Sequence, residues 1–281
     1  MCLFDECGGG GRRDFLKAAL AAGLVAQGVR AAAAESRAGE DIELPTPVGP
    51  VRAYLARPPG SGRHPAMLVL HGVLGLPAWT RSVADELAAA GFVALALSRF
   101  SRFPEVTDEQ LRREGRASRF LSEHFFLEAQ QEALGAIGYL RRLPRVRRDR
   151  IGAVGFCGGG IQAVRLSVAA PALRAVVSFY GPPALPPQYR HPTDPIRNLV
   201  EIGGLVRVPL QIHYGTADYA VRAADVERLA GEVRATGTPV EVHAYEGATH
   251  AFYDSRDQAP NLAAARLAHV RYLQFLHARL G

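Results

Sequence analysis

Short apolar runs alternate with longer stretches of helical periodicity through most of the chain. The spacing predicts strands over 51–57, 66–70, 92–97, 150–155, 175–180, 209–214 and 239–245. Between them it predicts helices over 79–90, 123–143, 159–168, 222–236 and 260–280, with Gly91 and Pro144 as stop signals. Residues 98–122 are polar and arginine-rich, a lid or a short helical excursion. The proline-rich stretch 181–205 reads as loop. Strands alternating with helices indicate an α/β fold with a largely parallel sheet. No repeat, second core or linker interrupts the pattern, so 35–281 reads as a single domain.

The first 34 residues follow a different logic. Arg12-Arg13-Asp14-Phe15-Leu16-Lys17 matches the twin-arginine pattern. An alanine-rich, mildly apolar stretch follows at 18–29, and then Ala32-Ala33-Ala34, an A-x-A-like cleavage site before Glu35. The apolar run is too short for a membrane span of about 20 residues. Residues 1–34 are therefore expected to be a cleaved export signal, leaving a periplasmic or secreted protein with no membrane association. The alternative is an amphipathic helix at the start of the domain.

Composition narrows the class. With 48% hydrophobic and 21% charged residues the chain is globular rather than disordered. It carries 33 basic and 27 acidic residues, and cleavage after Ala34 would leave 29 and 24, a net of +5. All the basic residues except Lys17 are arginine. The cluster Arg141, Arg142, Arg145, Arg147, Arg148, Arg150 falls at a predicted helix C-terminus, where cations offset the helix dipole. No aromatic residues interleave with it, and no nucleic-acid partner is expected. Cleavage would also remove Cys2 and Cys7, leaving Cys157 as the lone cysteine and excluding an internal disulfide.

Cys157 lies in Gly155-Phe156-Cys157-Gly158-Gly159, between a predicted strand and a predicted helix. This is the pattern of a nucleophile elbow, G-x-S-x-G, with cysteine in the serine position. Gly155 and Gly159 are needed because side chains there would collide with the neighbouring strand and helix. A thiol at a helix N-terminus is favoured as the thiolate. A dinucleotide site fails on spacing, since G-x-G-x-x-G is absent. A redox role lacks a second cysteine, and an inert buried cysteine is the remaining alternative. Asp218 and His250 each follow a predicted strand, where open α/β sheets place their sites. The order nucleophile, acid, histidine is that of α/β-hydrolases. In this reading Asp218 fixes the His250 tautomer, and His250 takes the thiol proton and later activates water. Backbone N–H groups of Gly158 and Val73 form the oxyanion hole. His71 is expected to pack rather than react.

With these residues assembled, the chain from about Ile42 onward resembles the dienelactone hydrolase family. The resemblance rests on 47–58 (Pro47 to Pro58), on Gly155-Phe156-Cys157-Gly158-Gly159, on Gly215-Thr216-Ala217-Asp218 and on Ala248-Thr249-His250-Ala251-Phe252. It implies an eight-stranded α/β-hydrolase core with neither metal nor cofactor. It also implies a Cys-His-Asp triad that opens an enol-lactone ring or cleaves a related ester through a thioester intermediate. The expected partner is a small ester or lactone, and the expected state a monomer. Gly72 stands where typical members carry a glutamate, and Asp254 where they carry a substrate-binding arginine. Arg256 and Arg112 are the candidates to take over the substrate contact. A broad esterase or thioesterase, an acyltransferase, and a binding protein on a degraded hydrolase scaffold remain as alternative readings.

Overall fold

The computed structural model describes residues 39–72, 75–98, 101, 127–184, 198–254 and 261–281. Eight strands form one sheet in the order β1-β2-β4-β3-β5-β6-β7-β8. They are β1 Glu40–Thr46, β2 Gly49–Ala56, β3 His64–Leu70, β4 Val93–Leu97, β5 Val146–Phe156, β6 Ala175–Phe179, β7 Leu210–Gly215 and β8 Val240–Tyr245. β1 and β2 form an antiparallel hairpin, and β2 pairs antiparallel with β4. All further pairs, from β4–β3 to β7–β8, are parallel.

The parallel strands follow directly from their composition. Every residue of β4 and of β6 is buried, as are the last five of β3. A strand covered by helices on both faces tolerates no polar alternation, which is why these segments read as continuous apolar runs. β1 differs. It is an edge strand with mostly exposed positions, and the pattern of 40–46 did not mark it as a strand.

Helices cover the sheet: α1 Ala78–Ala89, α2 Leu127–Arg142, α3 Gly158–Ala169, α4 Val200–Gly203, α5 Ala223–Ala235 and α6 Leu262–Leu280. In α1 the buried residues are Thr80, Val83, Ala84, Leu87 and Ala88. That is the i, i+3, i+4, i+7 spacing of a helix with one face on a core. Gly91 ends this helix at φ +95°, with its N–H bonded to the Ala88 carbonyl and that of Phe92 to Leu87. A left-handed residue is required there, and glycine adopts it without steric cost. α3 is buried from Gly158 to Ser167, which makes it the central helix against β5 and β6. The stretch expected as loop contains the short α4 and a bridge between Ala184 and Asn198. The export segment 1–34 and nearly all of the arginine-rich 98–122 lie outside the described residues. No described helix is long and apolar enough to cross a membrane.

Candidate active site

Every candidate side chain that the structure describes follows the carboxyl end of a strand. Cys157 comes directly after β5, Asp218 after β7 and His250 after β8. Cys157 takes φ 52° and ψ −118°, a backbone region that a side-chain-bearing residue adopts only under constraint. The constraint comes from both sides of the residue. Its N–H bonds the Phe179 carbonyl of β6, and its carbonyl accepts from Gly160 and Ile161 in the first turn of α3.

This turn is possible only because its neighbours are glycines. A Cβ on Gly155 would stand 1.9 Å from the Gly159 carbonyl oxygen. One on Gly159 would stand 2.0 Å from the Leu70 carbonyl oxygen of β3. Strand, turn and helix are thus pressed together at backbone distance. Gly158 is the first residue of α3, whose leading N–H groups have no partner within the helix. Gly72 lies against the nucleophile from the β3 side, where a Cβ would meet Cys157 Cβ at 3.3 Å. His71 is buried, and its Nδ1–H donates to the Gly72 carbonyl at 2.6 Å.

A second close approach joins the acid and histidine loops. A Cβ on Gly215 would stand 2.0 Å from the Ala248 carbonyl oxygen. The same carbonyl accepts from Ala217 N–H, while Thr216 N–H bonds the Tyr245 carbonyl and Gly247 N–H bonds Thr216 Oγ1. The result is a continuous relay. Asp218 has no exposed side-chain surface, and its carboxylate accepts from His250 Nδ1 at 2.9 Å and 3.0 Å. Asp218 Oδ1 also accepts the N–H groups of Ala220 and Val221. His250 Nε2 faces Cys157 Sγ at 3.2 Å. Because a carboxylate only accepts, Nδ1 carries a proton, and Nε2 is the nitrogen that exchanges a proton with the sulfur. Burial alone pushes the imidazole down. Its hydrogen bonds to Asp218 and Cys157, with the charges of both, outweigh burial and raise it to about 10.

Two tyrosines unmarked by the sequence pattern flank the imidazole. Tyr180 follows β6, is fully buried, takes φ 39°, and lies with its ring centroid 5.3 Å from that of His250. Its hydroxyl donates to the Asp254 carboxylate, and burial together with that carboxylate holds the phenol well above its ordinary value. Tyr219 also lies beside the imidazole, its centroid 5.1 Å away, and is 88% exposed. Beneath the site, Phe156 stacks on Phe179 at 5.1 Å and on Tyr253 at 5.8 Å, and Phe179 stacks on His213 at 4.3 Å. This aromatic layer ties the ends of β5, β6 and β7 to the loop after His250. Val73, Arg112 and Arg256 lie outside the described residues. Among the described residues no group of three or more His, Cys, Asp or Glu side chains is placed to hold a metal ion.

Comparison with known proteins adds a family. The model of the Dienelactone hydrolase family matches residues 51–280. A Bradyrhizobium protein described as a probable 2-oxo-3-(5-oxofuran-2-ylidene)propanoate lactonase is 32% identical over 228 residues, covering 81% of this chain and 89% of its own. A putative carboxymethylenebutenolidase from Synechocystis is 28% identical over 243 residues, covering 85% and 96%. Among solved structures, a putative dienelactone hydrolase from Klebsiella pneumoniae superposes with a TM-score of 0.77 at 21% identity, over 85% of this chain and 98% of that one. At that identity the likeness concerns the fold, here the α/β-hydrolase fold.

The glycine contacts lead to a paired stability test. Gly159→Ala forces a Cβ into the Leu70 carbonyl and should cost more than about 3 kcal/mol. Gly231→Ala, in α5 with nothing within 4 Å of the new Cβ, should gain about 0.5–1 kcal/mol. Urea denaturation of both variants measures the contrast.

Proposed function

The chain belongs to the dienelactone hydrolase family, and on that premise we propose that it cleaves carboxylic esters or lactones through a thioester on Cys157. The observation that carries this reading is the unbroken relay from Asp218 through His250 to Cys157 Sγ. The nucleophilic form of a cysteine is the thiolate, and with His250 raised to about 10 the imidazole opposite Cys157 Sγ is the proton-carrying partner at neutral pH. The thiolate attacks the substrate carbonyl carbon and forms the C–S bond. The Gly158 N–H, and Val73 N–H as its expected companion, hold the developing oxyanion. Collapse of the adduct breaks the C–O bond, and the departing oxygen takes the Nε2 proton of His250. Neutral His250 then removes a proton from water, which attacks the thioester. The acid leaves, and the thiolate–imidazolium pair is restored.

Substrate choice follows from what surrounds the sulfur. Gly72, where a Cβ would stand 3.3 Å from Cys157 Cβ, occupies the position at which the family resemblance places a carboxylate, so His250 is the group that handles the thiol proton. Asp254 accepts a hydrogen bond from Tyr180 where the resemblance places a cation. Both features favour a broad esterase or lactonase over an enzyme restricted to dienelactone.

Two experiments test these proposals. With an activated aryl acetate, His250→Ala should form but not hydrolyse the acyl-enzyme, giving an acetyl mass increment on the peptide that contains Cys157. Cys157→Ala should show no increment and lose at least about a thousandfold in kcat. Undiminished hydrolysis by Cys157→Ala would sink the mechanism.

We further propose that residues 1–34 direct twin-arginine export to the periplasm, a reading supported by Arg12-Arg13 and the Ala32-Ala33-Ala34 site. N-terminal sequencing of periplasmic protein should begin at Glu35. Replacing both Arg12 and Arg13 with Lys should retain the precursor in the cytoplasm; normal export of that variant would contradict the assignment.

A further inference from the structure

The reaction geometry restricts where a leaving group can lie. The substrate carbonyl carbon must bond Cys157 Sγ while the departing oxygen takes the Nε2 proton, and these two atoms are 3.2 Å apart. The leaving group therefore emerges beside the His250 ring. One flank of that ring is closed by Tyr180, fully buried and tied through its hydroxyl to Asp254. Tyr219 is the second ring beside it, its centroid 5.1 Å away.

Tyr219 is unusual among the large hydrophobic side chains of the described residues. Four are exposed, and Tyr219, at 88%, is the most exposed of them. The others, Leu205, Leu267 and Val270, belong to the segment after α4 and to α6. The backbone that carries the tyrosine is nevertheless held. Asp218 Oδ1, the oxygen that also orients His250, accepts the N–H groups of Ala220 and Val221, which pins the turn carrying residue 219. This turn thus presents a largely exposed aromatic ring 5.1 Å from that of His250. Such a ring gains most from a flat, apolar group laid against it, because stacking adds to the apolar area removed from water.

We propose that Tyr219 forms a leaving-group subsite for planar conjugated rings, so that aryl and other flat unsaturated esters are favoured over esters of saturated alcohols. This rests on the hydrolase reading above and names the substrate class of the same site. The subsite makes no use of charge and is filled before the C–O bond breaks. Its contribution therefore appears in kcat/KM for ring-bearing leaving groups.

The test compares 4-nitrophenyl acetate with 2,2,2-trifluoroethyl acetate, which share an acyl group and differ in whether the leaving group is a flat ring. Tyr219→Ala should lower kcat/KM for the aryl ester about tenfold more than for the trifluoroethyl ester. Tyr219→Phe, which keeps the ring, should behave as the wild type on both. If Tyr219 only shelters His250 from water, Tyr219→Ala will depress both esters equally and move the pH profile of each; that result overturns the subsite and leaves the hydrolase reading intact. No effect on either ester overturns it as well. A wild-type protein that cleaves neither ester overturns the hydrolase reading and the subsite with it.

Discussion

The contact between His250 Nε2 and Cys157 Sγ, 3.2 Å long, is the one on which the arrangement of the site depends. It joins residues 93 positions apart in sequence, and neither loop could present its side chain alone. Cys157 must be held at positive φ, which requires a strand, a turn and a helix pressed together without side chains at Gly155 and Gly159. His250 must be turned by a carboxylate with no exposed surface, which requires the β7 and β8 loops to touch at Gly215. The eight-stranded sheet provides the frame. Because its central strands are buried on both faces, their carboxyl ends are fixed relative to one another, and the loops inherit that precision.

Strain is concentrated at the same place. The described non-glycine residues with positive φ are Cys157, Tyr180 and Ala251, and each is part of the site or adjacent to it. Such conformations cost roughly 1–3 kcal/mol each and persist where the surroundings over-determine them. Here the surroundings are the aromatic layer of Phe156, Phe179 and Tyr253, together with the backbone bonds from Cys157 to Phe179 and from Tyr180 to His213. His213 is fully buried and kept neutral by that burial, its ring nitrogens bonded to Tyr245 and Gln211. The uncharged ring of His213, stacked on Phe179, extends the aromatic layer to β7.

Much of this was legible in the residues. The parallel strands announce themselves as apolar runs because both of their faces are covered. The elbow is legible because only glycine fits at Gly155 and Gly159, so the spacing records a steric requirement. The edge strand β1 was not legible. Its residues are largely solvated, and its extended shape depends on pairing with β2. Tyr180 and Tyr219 escaped for a related reason. Each lies just past a landmark, a strand end or Asp218, but its proximity to His250 is created by tertiary folding and leaves no periodic trace. Gly72 and Asp254 were visible as departures from the family pattern; that Asp254 accepts from a buried tyrosine hydroxyl was not.

The proposed mechanism depends on Asp218 and Cys157 keeping His250 protonated at neutral pH, so that the imidazole would meet the substrate as an acid rather than as a base. The dependence of kcat/KM on pH for an unactivated ester, whose leaving group needs a proton, tests this most directly. The proton present below His250's raised value is lost as pH climbs through it, so activity should hold across the neutral range and fall near pH 10. A fall centred near the ordinary histidine value of about 6.5, or a rate that keeps rising through pH 10 as a neutral general base would require, would contradict the account.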